Sequence, residues 1–351
     1  MLSTLEVTGV RNLQNAVLEF HPSLNLIHGQ NASGKTSLVE AISILASGKS
    51  FRTSSLENVI SHEKDLLRVF GKTTGGDRLG FQWSKTGKEI RINGESISRL
   101  SALAQALPLQ SFTPDTHIEF TRSRKHRIAV LDWLLFHVEP GFHDSWTRYQ
   151  RALAQRNAAL KNNQNPTAWN RELATLGEQV VEFRRQSLEW LQPHIERFGK
   201  AVPGNRRLGI RIKQGWSVDK SLSEALEEDF ERDRRDGFTH SGAHRSDLDI
   251  EIEGRKVREE ASQGQLKTLV MALRLSQLQF YTNQSGRGCI FILDDLPAEL
   301  DEARRADVLS KLAELPLQLF ITSTEPSLID LKNWSTGHRL FHVEQGSVRA
   351  E

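Results

Sequence analysis

The sequence has little of several features that mark other classes of protein. It contains a single cysteine, Cys289, so it cannot form a disulfide framework or a zinc site built on a cysteine pair. No apolar run approaches the roughly 18 residues that a membrane-spanning helix needs. The N-terminus also lacks a basic start followed by an apolar block. We therefore expect a cytoplasmic globular protein with no membrane contact.

An excess of charge of one sign is also missing. The 351 residues include 46 Lys and Arg against 44 Asp and Glu, which leaves a net charge of +2. Any surface that binds nucleic acid must therefore be local. Aromatic residues make up only 7%, and this favours contact with a duplex backbone over stacking on single-stranded bases. The length predicts two domains.

The strongest positive signal is a glycine loop between an apolar strand pattern at 24–27 and a helical pattern at 38–45. The loop matches G-x-x-x-x-G-K-[ST] and binds phosphate through its backbone N–H groups. Lys35 would reach the β- and γ-phosphates, and the Thr36 hydroxyl would bind Mg²⁺. The predicted nucleotide site consists of Gly29, Gln30, Asn31, Ala32, Ser33, Gly34, Lys35, Thr36 and Ser37. The pattern predicts that ATP and Mg²⁺ bind here.

A second chemical signal is a pair of acidic residues after a continuously apolar stretch. Residues 289–293 predict a buried strand, and Asp294 and Asp295 follow it directly. On a strand next to the P-loop strand, Asp294 would hold the Mg²⁺ shell. Asp295 would orient or deprotonate the attacking water. Two acids after a strand are more often a solvated strand end, but the P-loop favours the catalytic interpretation.

A third signal precedes a strongly apolar helical pattern. Ser262, Gly264 and Gln265 form an S-x-G-Q sequence, whose hydroxyl and N–H groups could bind a γ-phosphate. Taken alone, such a sequence is usually a helix cap. Its place about thirty residues before the acidic strand resembles the layout of ABC-type ATPases. That resemblance implies that Ser262 faces the nucleotide of a second subunit, so ATP binding would produce a homodimer.

The hydrophobic periodicity outlines the fold. Alternating stretches at 66–71, 79–83 and 89–92 predict an antiparallel layer, while residues 116–198 are mostly helical by pattern. The fold class expected is α/β, an ABC-type P-loop ATPase head with a mixed sheet and an inserted α-helical arm. The predicted domains are an N-terminal part of the head at 1–113, a helical arm at 114–237 and a C-terminal part of the head at 238–351.

Several further motifs resemble the RecF family of recombination-mediator ATPases, which are related to SMC-type heads. The resemblance covers nearly the whole chain. Its motifs are Val10-Arg11-Asn12, the P-loop, Gly48-Lys49-Ser50-Phe51-Arg52, Leu131-Asp132-Trp133, Gln155-Arg156-Asn157, residues 242–248, the S-x-G-Q sequence, Leu293-Asp294-Asp295 and Glu299-Leu300-Asp301.

The resemblance implies roles for three more residues. Gln110 matches a glutamine that contacts Mg²⁺ and water in ABC-type heads, and it would act in catalysis. Arg11 matches an arginine near the nucleotide in SMC-like heads. Asp301 matches the aspartate of a loop that crosses the dimer interface. A surface amide is the alternative for Gln110, and a solvated turn residue is the alternative for Arg11.

The function implied by the resemblance is a slow, ATP-gated DNA clamp that dimerises on ATP. It would act at gapped DNA and at single-strand/duplex junctions, and would help RecA to load together with RecR and RecO. An ABC subunit that energises a membrane transporter is an alternative. It predicts a histidine after the last core strand, where this chain has Thr322 and Ser323. A DNA-binding head that holds ATP without turnover is a further alternative.

A local excess of basic residues offers a surface for double-stranded DNA. Positions 114–163 contain eight basic and five acidic residues, so this segment has a net charge of +3. Such an excess could bind phosphates with salt-sensitive affinity, although a solvated helical face is an equally good interpretation. The basic residues are Arg122, Arg124, Lys125, Arg127, Arg148, Arg151, Arg156 and Lys161.

Overall fold

The computed structural model describes residues 1–199, 208–332, 334 and 336–351. Residues 200–207, within the predicted arm, lie outside the described residues. The chain divides into two compact units. The first contains Met1–Asp115 and Gly286–Glu351, and the second contains Thr116–Ser285.

The strands are β1 Leu2–Thr8, β2 Ala16–Glu19, β3 Leu24–His28, β4 Leu66–Thr73, β5 Arg78–Ser84, β6 Gly87–Ile92, β7 Glu95–Ser96, β8 Leu109–Phe112, β9 Leu208–Lys213, β10 Asp247–Ile252, β11 Arg255–Lys256, β12 Cys289–Leu293, β13 Leu317–Ser323, β14 His338–Glu344 and β15 Ser347–Ala350. The helices are α1 Lys35–Ser47, α2 Leu100–Ala106, α3 Thr116–Arg122, α4 Arg124–Val138, α5 Pro140–Lys161, α6 Thr167–Gly199, α7 Leu222–Glu228, α8 Phe230–Asp236, α9 Val257–Glu260, α10 Gln263–Ser285, α11 Leu296–Glu299 and α12 Glu302–Ala313. Short 3₁₀ turns lie at Leu56–Val59, Ala243–Arg245 and Pro326–Leu328.

The first unit contains an antiparallel sheet, which confirms the predicted layer. Its strand order is β2-β1-β4-β5-β6-β7. Leu67 and Val69 of β4 are fully buried while Arg68 between them is exposed. This alternation is expected of a sheet that covers a core with one face only.

A second sheet in this unit carries the P-loop strand. Its order is β15-β14-β3-β13-β12-β8, and all pairs are parallel except β14 with β15. The acidic strand β12 was predicted to be a neighbour of β3, and that prediction is wrong. β13 lies between them, because β3 pairs with β13 and β14. The acids therefore approach the P-loop across the end of β13.

Helix α1 joins the two sheets of the first unit through a common core. The helix is buried on almost every side, and its apolar residues belong to a core that also contains residues of both sheets. A helix that is apolar on every side packs inside a domain. The core contains Leu38, Ala41, Ile42 and Leu45 of α1 together with Leu5 and Val69 of the antiparallel sheet and Ile27, Ile292 and Phe320 of the parallel sheet. This packing holds the start of α1 at the ends of β3, β13 and β12.

The second unit is mostly helical, as predicted, and α5 and α6 pack against each other across the loop at 162–166. The predicted boundary at 237/238 differs from the structure, which groups residues 238–285 with this helical unit. The physical reason is α10, which packs on α6, α4 and α3. Gln277 of α10 also donates a hydrogen bond to the carbonyl oxygen of Val130 at 2.5 Å. The assignment of the two units as an ATPase head and a helical arm remains a prediction.

Candidate nucleotide site

Residues 29–34 form the loop between β3 and α1, and Lys35 and Thr36 begin the helix, in the order that was predicted. Two of its glycines have positive φ, 147° at Gly29 and 120° at Gly34. A Cβ atom at Gly29 would lie 2.2 Å from the carbonyl oxygen of Val343. Only glycine can occupy these positions, because the backbone conformation and the close approach of β14 exclude a side chain. The glycines therefore set the loop that would surround a phosphate.

The start of α1 offers unused hydrogen-bonding groups. No side chain caps the helix at Gly34, so the N–H groups of its first turn are available for an anion. Ser33 is buried, and its Oγ has no hydrogen-bond partner among the described residues. Gln30 and Asn31 are exposed at the tip of the loop. Together these features fit a phosphate group held by backbone N–H groups and the Ser33 hydroxyl.

The ammonium of Lys35 is folded back onto the loop. Its Nζ donates hydrogen bonds to the carbonyl oxygens of Gly29 at 2.7 Å and Gln30 at 2.8 Å. Burial lowers the pKa of Lys35, and the charges of Asp295 and Asp294 act in the opposite direction. Two backbone carbonyls are weak partners for a cation compared with a phosphate oxygen. Lys35 is thus placed to turn from the loop to a β- or γ-phosphate.

A hydroxyl and a carboxylate meet next to this lysine. Thr36 Oγ1 lies 3.1 Å from both carboxylate oxygens of Asp294 and donates to them. On the other side, Thr322 Oγ1 donates to Asp294 Oδ1 at 2.7 Å. Burial raises the pKa of Asp294, and the Asp295 charge raises it further. The hydrogen bonds from Thr322 and Thr36 act in the opposite direction. The network joins the ends of β12 and β13 to the P-loop.

Asp295 has an unusual backbone conformation for a residue with a side chain. Its φ is 53° and its ψ is 45°, and it caps the short helix α11. Its N–H donates to Thr322 Oγ1 at 2.7 Å. A left-handed conformation at a non-glycine residue is mildly strained, and Asp tolerates it better than most residues. The hydrogen bond from the Asp295 backbone to Thr322 therefore stabilises a conformation that places the two acids side by side.

The oxygens of Thr36 and Asp294 fit the preferences of Mg²⁺. This ion takes one or two carboxylates and completes its shell with water and substrate phosphates. In the described ranges 1–199, 208–332, 334 and 336–351, no group of three His, Cys, Asp or Glu side chains is arranged to hold a metal. A site that depends on a bound nucleotide for its remaining ligands agrees with both observations. Mg²⁺ binding by Thr36 and Asp294 remains a prediction.

Gln110 lies in strand β8, and its contact with Mg²⁺ and water remains a prediction. It lies in the middle of β8 and pairs in register with Phe291 of β12, three residues before Asp294. Three residues along a strand correspond to about 10 Å. The side chain is buried, and its Nε2 has no hydrogen-bond partner among the described residues. At the end of β8, the N–H of Asp294 donates to the carbonyl oxygen of Phe112 at 2.9 Å.

Arg11 is held by a buried carboxylate and is not free beside the loop. Its Nε and Nη2 donate to the two oxygens of Glu40 at 2.9 and 3.0 Å, and its Nη1 donates to the Asn58 carbonyl at 2.7 Å. Glu40 of α1 has no exposed side-chain surface. Arg52 also approaches Glu40, at 3.7 Å. Glu40 was not predicted as a partner of Arg11, although an acid inside a mostly apolar helical pattern is a signal that the sequence contains.

A cavity of about 1020 Å³ lies beside the P-loop. Residues from 9–15, 32–37 and 57–64 line it, together with Arg52. Asn12 is fixed at its wall, because its amide nitrogen donates to the Ala32 carbonyl at 3.3 Å and its Oδ1 accepts from Ser37 Oγ at 3.0 Å. The predicted contact of Ser37 with nucleotide thus competes with this bond to Asn12. A cavity of this size next to a phosphate loop can accommodate the nucleoside part of ATP.

Ser262, Gly264 and Gln265 belong to the second unit, which is described separately from the P-loop. Ser262 accepts a hydrogen bond from Gln265 N–H at 3.3 Å, and Gln265 Oε1 accepts from Ser262 N–H at 2.9 Å. This reciprocal pair is a capping box, and it confirms Ser262 as a helix cap. Ser262 is also exposed. Its predicted contact with nucleotide of a second subunit stays a prediction.

Asp301 has a local structural role. Its Oδ1 accepts a hydrogen bond from Arg304 N–H at 2.9 Å and so caps α12. The side chain is more than half exposed. The cap accounts for an aspartate at this position without a partner subunit. A contact of Asp301 across a dimer interface therefore remains a prediction.

Comparison with known proteins agrees with this geometry. The family model of the RecF/RecN/SMC N-terminal domain matches residues 1–348. DNA replication and repair protein RecF of Thioalkalivibrio sulfidiphilus is 36% identical over 99% of each chain. The chain belongs to the RecF family. RecF of Cellvibrio japonicus is 37% identical over 99% of this chain and 98% of its own.

Solved structures give the same result for the fold. The recombination mediator protein RecF with ATP, from the RecFOR pathway, matches with a TM-score of 0.89 and 27% identity, covering 100% of this chain and 97% of its own. An SMC head bound to ScpA matches with a TM-score of 0.61 at 13% identity, which shows the fold alone. The predicted ABC-type ATPase fold is confirmed. As a RecF-family protein with an ATP-bound relative of the same fold, the chain is a P-loop ATPase.

The predicted basic surface of the RecF-family arm is partly wrong. Arg127 and Arg156 are buried, and each is bound to an aspartate. Arg127 Nε lies 2.7 Å from Asp247, and Arg156 Nη1 lies 2.6 Å from Asp233. Counting charges along the sequence could not reveal this pairing, since the aspartate partners lie 120 and 77 residues away from Arg127 and Arg156. These two arginines stabilise the fold and do not reach DNA.

No helix in the described part of the chain is both long and apolar enough to cross a membrane. The match to RecF proteins along the full length disfavours the transporter-subunit alternative. Thr322 stands where a transporter would carry its histidine, and it contacts both acids of the site. The contact of Thr322 with both acids was not predicted from the sequence, where this residue only disfavoured a transporter subunit.

Proposed function

We propose that this RecF-family chain is an ATP-dependent DNA clamp that acts in recombinational repair of gapped DNA and in maintenance of replication forks. The observation that carries the proposal is the network of Thr36, Asp294 and Thr322 beside the Lys35 ammonium. It joins the P-loop, the acidic strand and the strand between them into one site. A clamp needs such a site so that it can open and close in response to nucleotide. Slow ATP turnover would be sufficient for this.

In the proposed mechanism the phosphates of ATP lie in the loop 29–36, and Lys35 leaves its carbonyl partners to bind them. Mg²⁺, when bound by Thr36 and Asp294, would neutralise charge on the phosphate oxygens. Thr322 holds the Asp294 carboxylate toward Thr36, and it fixes the backbone of Asp295. Asp295 then accepts a proton from the attacking water. Hydrolysis reopens the clamp.

A second copy of the chain completes the site in this proposal. The exposed start of α10, with its Ser262 capping box, would face the γ-phosphate bound by the first copy. Asp301 would lie near the same interface. Closure of the homodimer on ATP would place the helical units around duplex or gapped DNA.

The biological setting is proposed from the relatives. Relatives at 36–37% identity are named for DNA replication and repair, and two solved relatives at 27% identity are recombination mediators of the RecFOR pathway. We infer that this chain works with RecR and RecO at single-strand/duplex junctions and helps RecA to load. The cytoplasmic location stays a prediction.

Sedimentation velocity with MgATP, with and without gapped duplex, tests the clamp. Lys35→Ala removes the phosphate contact, and Ser262→Arg places a long cation at the proposed interface. We expect the unmodified chain to dimerise on ATP and DNA to strengthen the dimer, while both variants remain monomeric. A protein that binds ATP but stays monomeric with ATP and DNA would exclude the clamp mechanism.

A further inference from the structure

An arginine in the second unit has a buried guanidinium atom with no partner. Arg245 lies at the end of the 3₁₀ turn Ala243–Arg245, and its Nε is buried without a hydrogen-bond partner among the described residues. Arg127, Arg156 and Arg184 of the same unit differ from it, because each is bound to a carboxylate. Arg245 is partly exposed and its Nε has no such partner, so its charge is available to an anion from outside the chain.

The charges nearest to Arg245 increase this requirement. Burial lowers the pKa of Arg245, and the positive charges of Arg124 and Arg232 lower it further. The acid that opposes them is Asp233, but its two oxygens already bind Arg156 at 2.6 Å and His240 at 2.8 Å. The charges of Arg124 and Arg232 therefore act together with that of Arg245, and we call these three residues the arginine cluster.

The cluster is open to a large ligand. Arg124 and Arg232 are exposed and make no ion pair among the described residues. Phe238 is 40% exposed, and the Arg245 guanidinium lies over its ring, 5.4 Å from the centroid. The stack orients the guanidinium at the surface. The three cations come from different elements, which are the start of α4, α8 and the turn at 243–245.

We propose that Arg124, Arg232 and Arg245 form a binding site for the phosphodiester backbone of duplex DNA. The inference rests on the proposed DNA clamp and names a surface of the arm that performs the binding. Duplex DNA carries one negative charge per about 1.7 Å of axis, so a spread cluster of guanidinium groups can contact several phosphates. Such contacts position a protein on DNA without reading its sequence.

The test compares binding to a fluorescent 30-base-pair duplex across a salt series, in the presence of MgATP. The variant is Arg124→Gln with Arg232→Gln, because both side chains are exposed. Arg235→Gln is the matched control, since Arg235 lies on the same helix but is paired with Asp236 at 3.0 Å. We expect the double variant to bind roughly tenfold more weakly, with the slope of log K against log salt reduced by about two. The control should retain both values.

Three results would overturn the proposal. Equal affinity and slope in the double variant and the unmodified protein would show that these arginines do not bind DNA, but would not contradict the proposed clamp. Absence of duplex binding by the unmodified protein would exclude the clamp and this site together. Loss of MgATP binding in the double variant, measured by titration with a fluorescent ATP analogue, would assign the cluster to nucleotide instead of DNA.

Discussion

At the scale of single residues, Asp294 is a buried carboxylate with two hydroxyl donors and an adjacent acid. Its pKa is raised by burial, so its ionised form is less favourable in the folded protein than in the unfolded chain. The resulting loss of stability is absent at pH values below the unfolded pKa. It grows as the pH rises from the unfolded pKa and is complete above the raised folded pKa. The nucleotide-free site is therefore a source of instability at neutral pH.

We predict that Asp294→Asn raises the melting temperature of the nucleotide-free protein at neutral pH and abolishes ATP turnover. The amide keeps an acceptor for Thr36 and Thr322 but carries no buried charge. Turnover should fall by about a hundredfold or more, as for loss of other charge-stabilising groups. Thermal unfolding between pH 4 and pH 8 measures the first effect, and the gain should shrink toward low pH. A lower melting temperature than the unmodified protein at pH 7 would contradict the argument.

Thr322 connects the two acids, and its hydroxyl can be tested separately. Thr322→Val removes the donor to Asp294 and leaves the half-buried Asp295 N–H without an acceptor. An unsatisfied group of this kind costs about 1–3 kcal/mol. We expect Thr322→Val to unfold at lower urea concentration and to lose ATP turnover, whereas Thr322→Ser should retain both. Equal behaviour of the Val and Ser variants would show that the hydroxyl has no role.

At the scale of structural elements, three buried arginines hold the helical unit together. Arg127 binds Asp247, Arg156 binds Asp233, and Arg184 binds Asp132 at 2.7 Å. Arg184 also donates to the Ala243 carbonyl at 2.7 Å. These pairs connect α4, α5 and α6 to the segments at 233–247. Several motifs of the family resemblance therefore have a structural role in this unit.

Removal of one partner from such a pair should be strongly destabilising. Asp233→Asn would leave Arg156, which has no exposed side-chain surface, without a counter-charge. Breaking a buried pair costs about 3–5 kcal/mol. We predict a corresponding decrease in the free energy of unfolding by urea. Glu228→Gln breaks an exposed pair with Lys220 and should leave the urea midpoint unchanged. A similar midpoint for both variants would contradict the prediction.

The start of α10 combines a helix cap with a proposed phosphate contact, and two substitutions separate these roles. Ser262→Ala removes the cap and should cost about 1 kcal/mol. Ser262→Asp keeps a capping oxygen but places a negative charge beside the proposed phosphate. We expect the Asp variant to retain the stability of the unmodified protein and to lose ATP-dependent dimerisation in sedimentation. Dimerisation of the Asp variant with unchanged affinity would exclude the phosphate contact.

At the scale of the whole molecule, nucleotide binding should be visible as stability. A ligand at 100 times its Kd stabilises the folded state by about 2.7 kcal/mol. MgATP should therefore raise the melting temperature, and ATP with EDTA should raise it less if Thr36 and Asp294 hold the metal. Lys35→Ala is the control that should show no shift. A full shift with ATP and EDTA would contradict the predicted Mg²⁺ site.

The local sequence pattern was sufficient to predict the structural elements that carry the nucleotide site. The glycine motif identified the P-loop because Gly29 and Gly34 adopt backbone φ angles of 147° and 120°, which side chains disfavour. The apolar run before Asp294 identified β12, since strands of a parallel sheet are buried on both faces. These properties depend on neighbouring residues in the chain, so they can be read from the sequence.

The sequence by itself determined the P-loop, the acidic pair, the capped start of α10 and, through the resemblance, the family. Only the tertiary structure decided the strand order, which puts β13 and Thr322 between the P-loop and Asp294. It also decided which arginines are buried and which remain free. The physical reason is that pairing across a sheet and neutralisation of charge involve residues far apart in the chain. Composition and spacing record which charges are present, but folding determines which of them are neutralised.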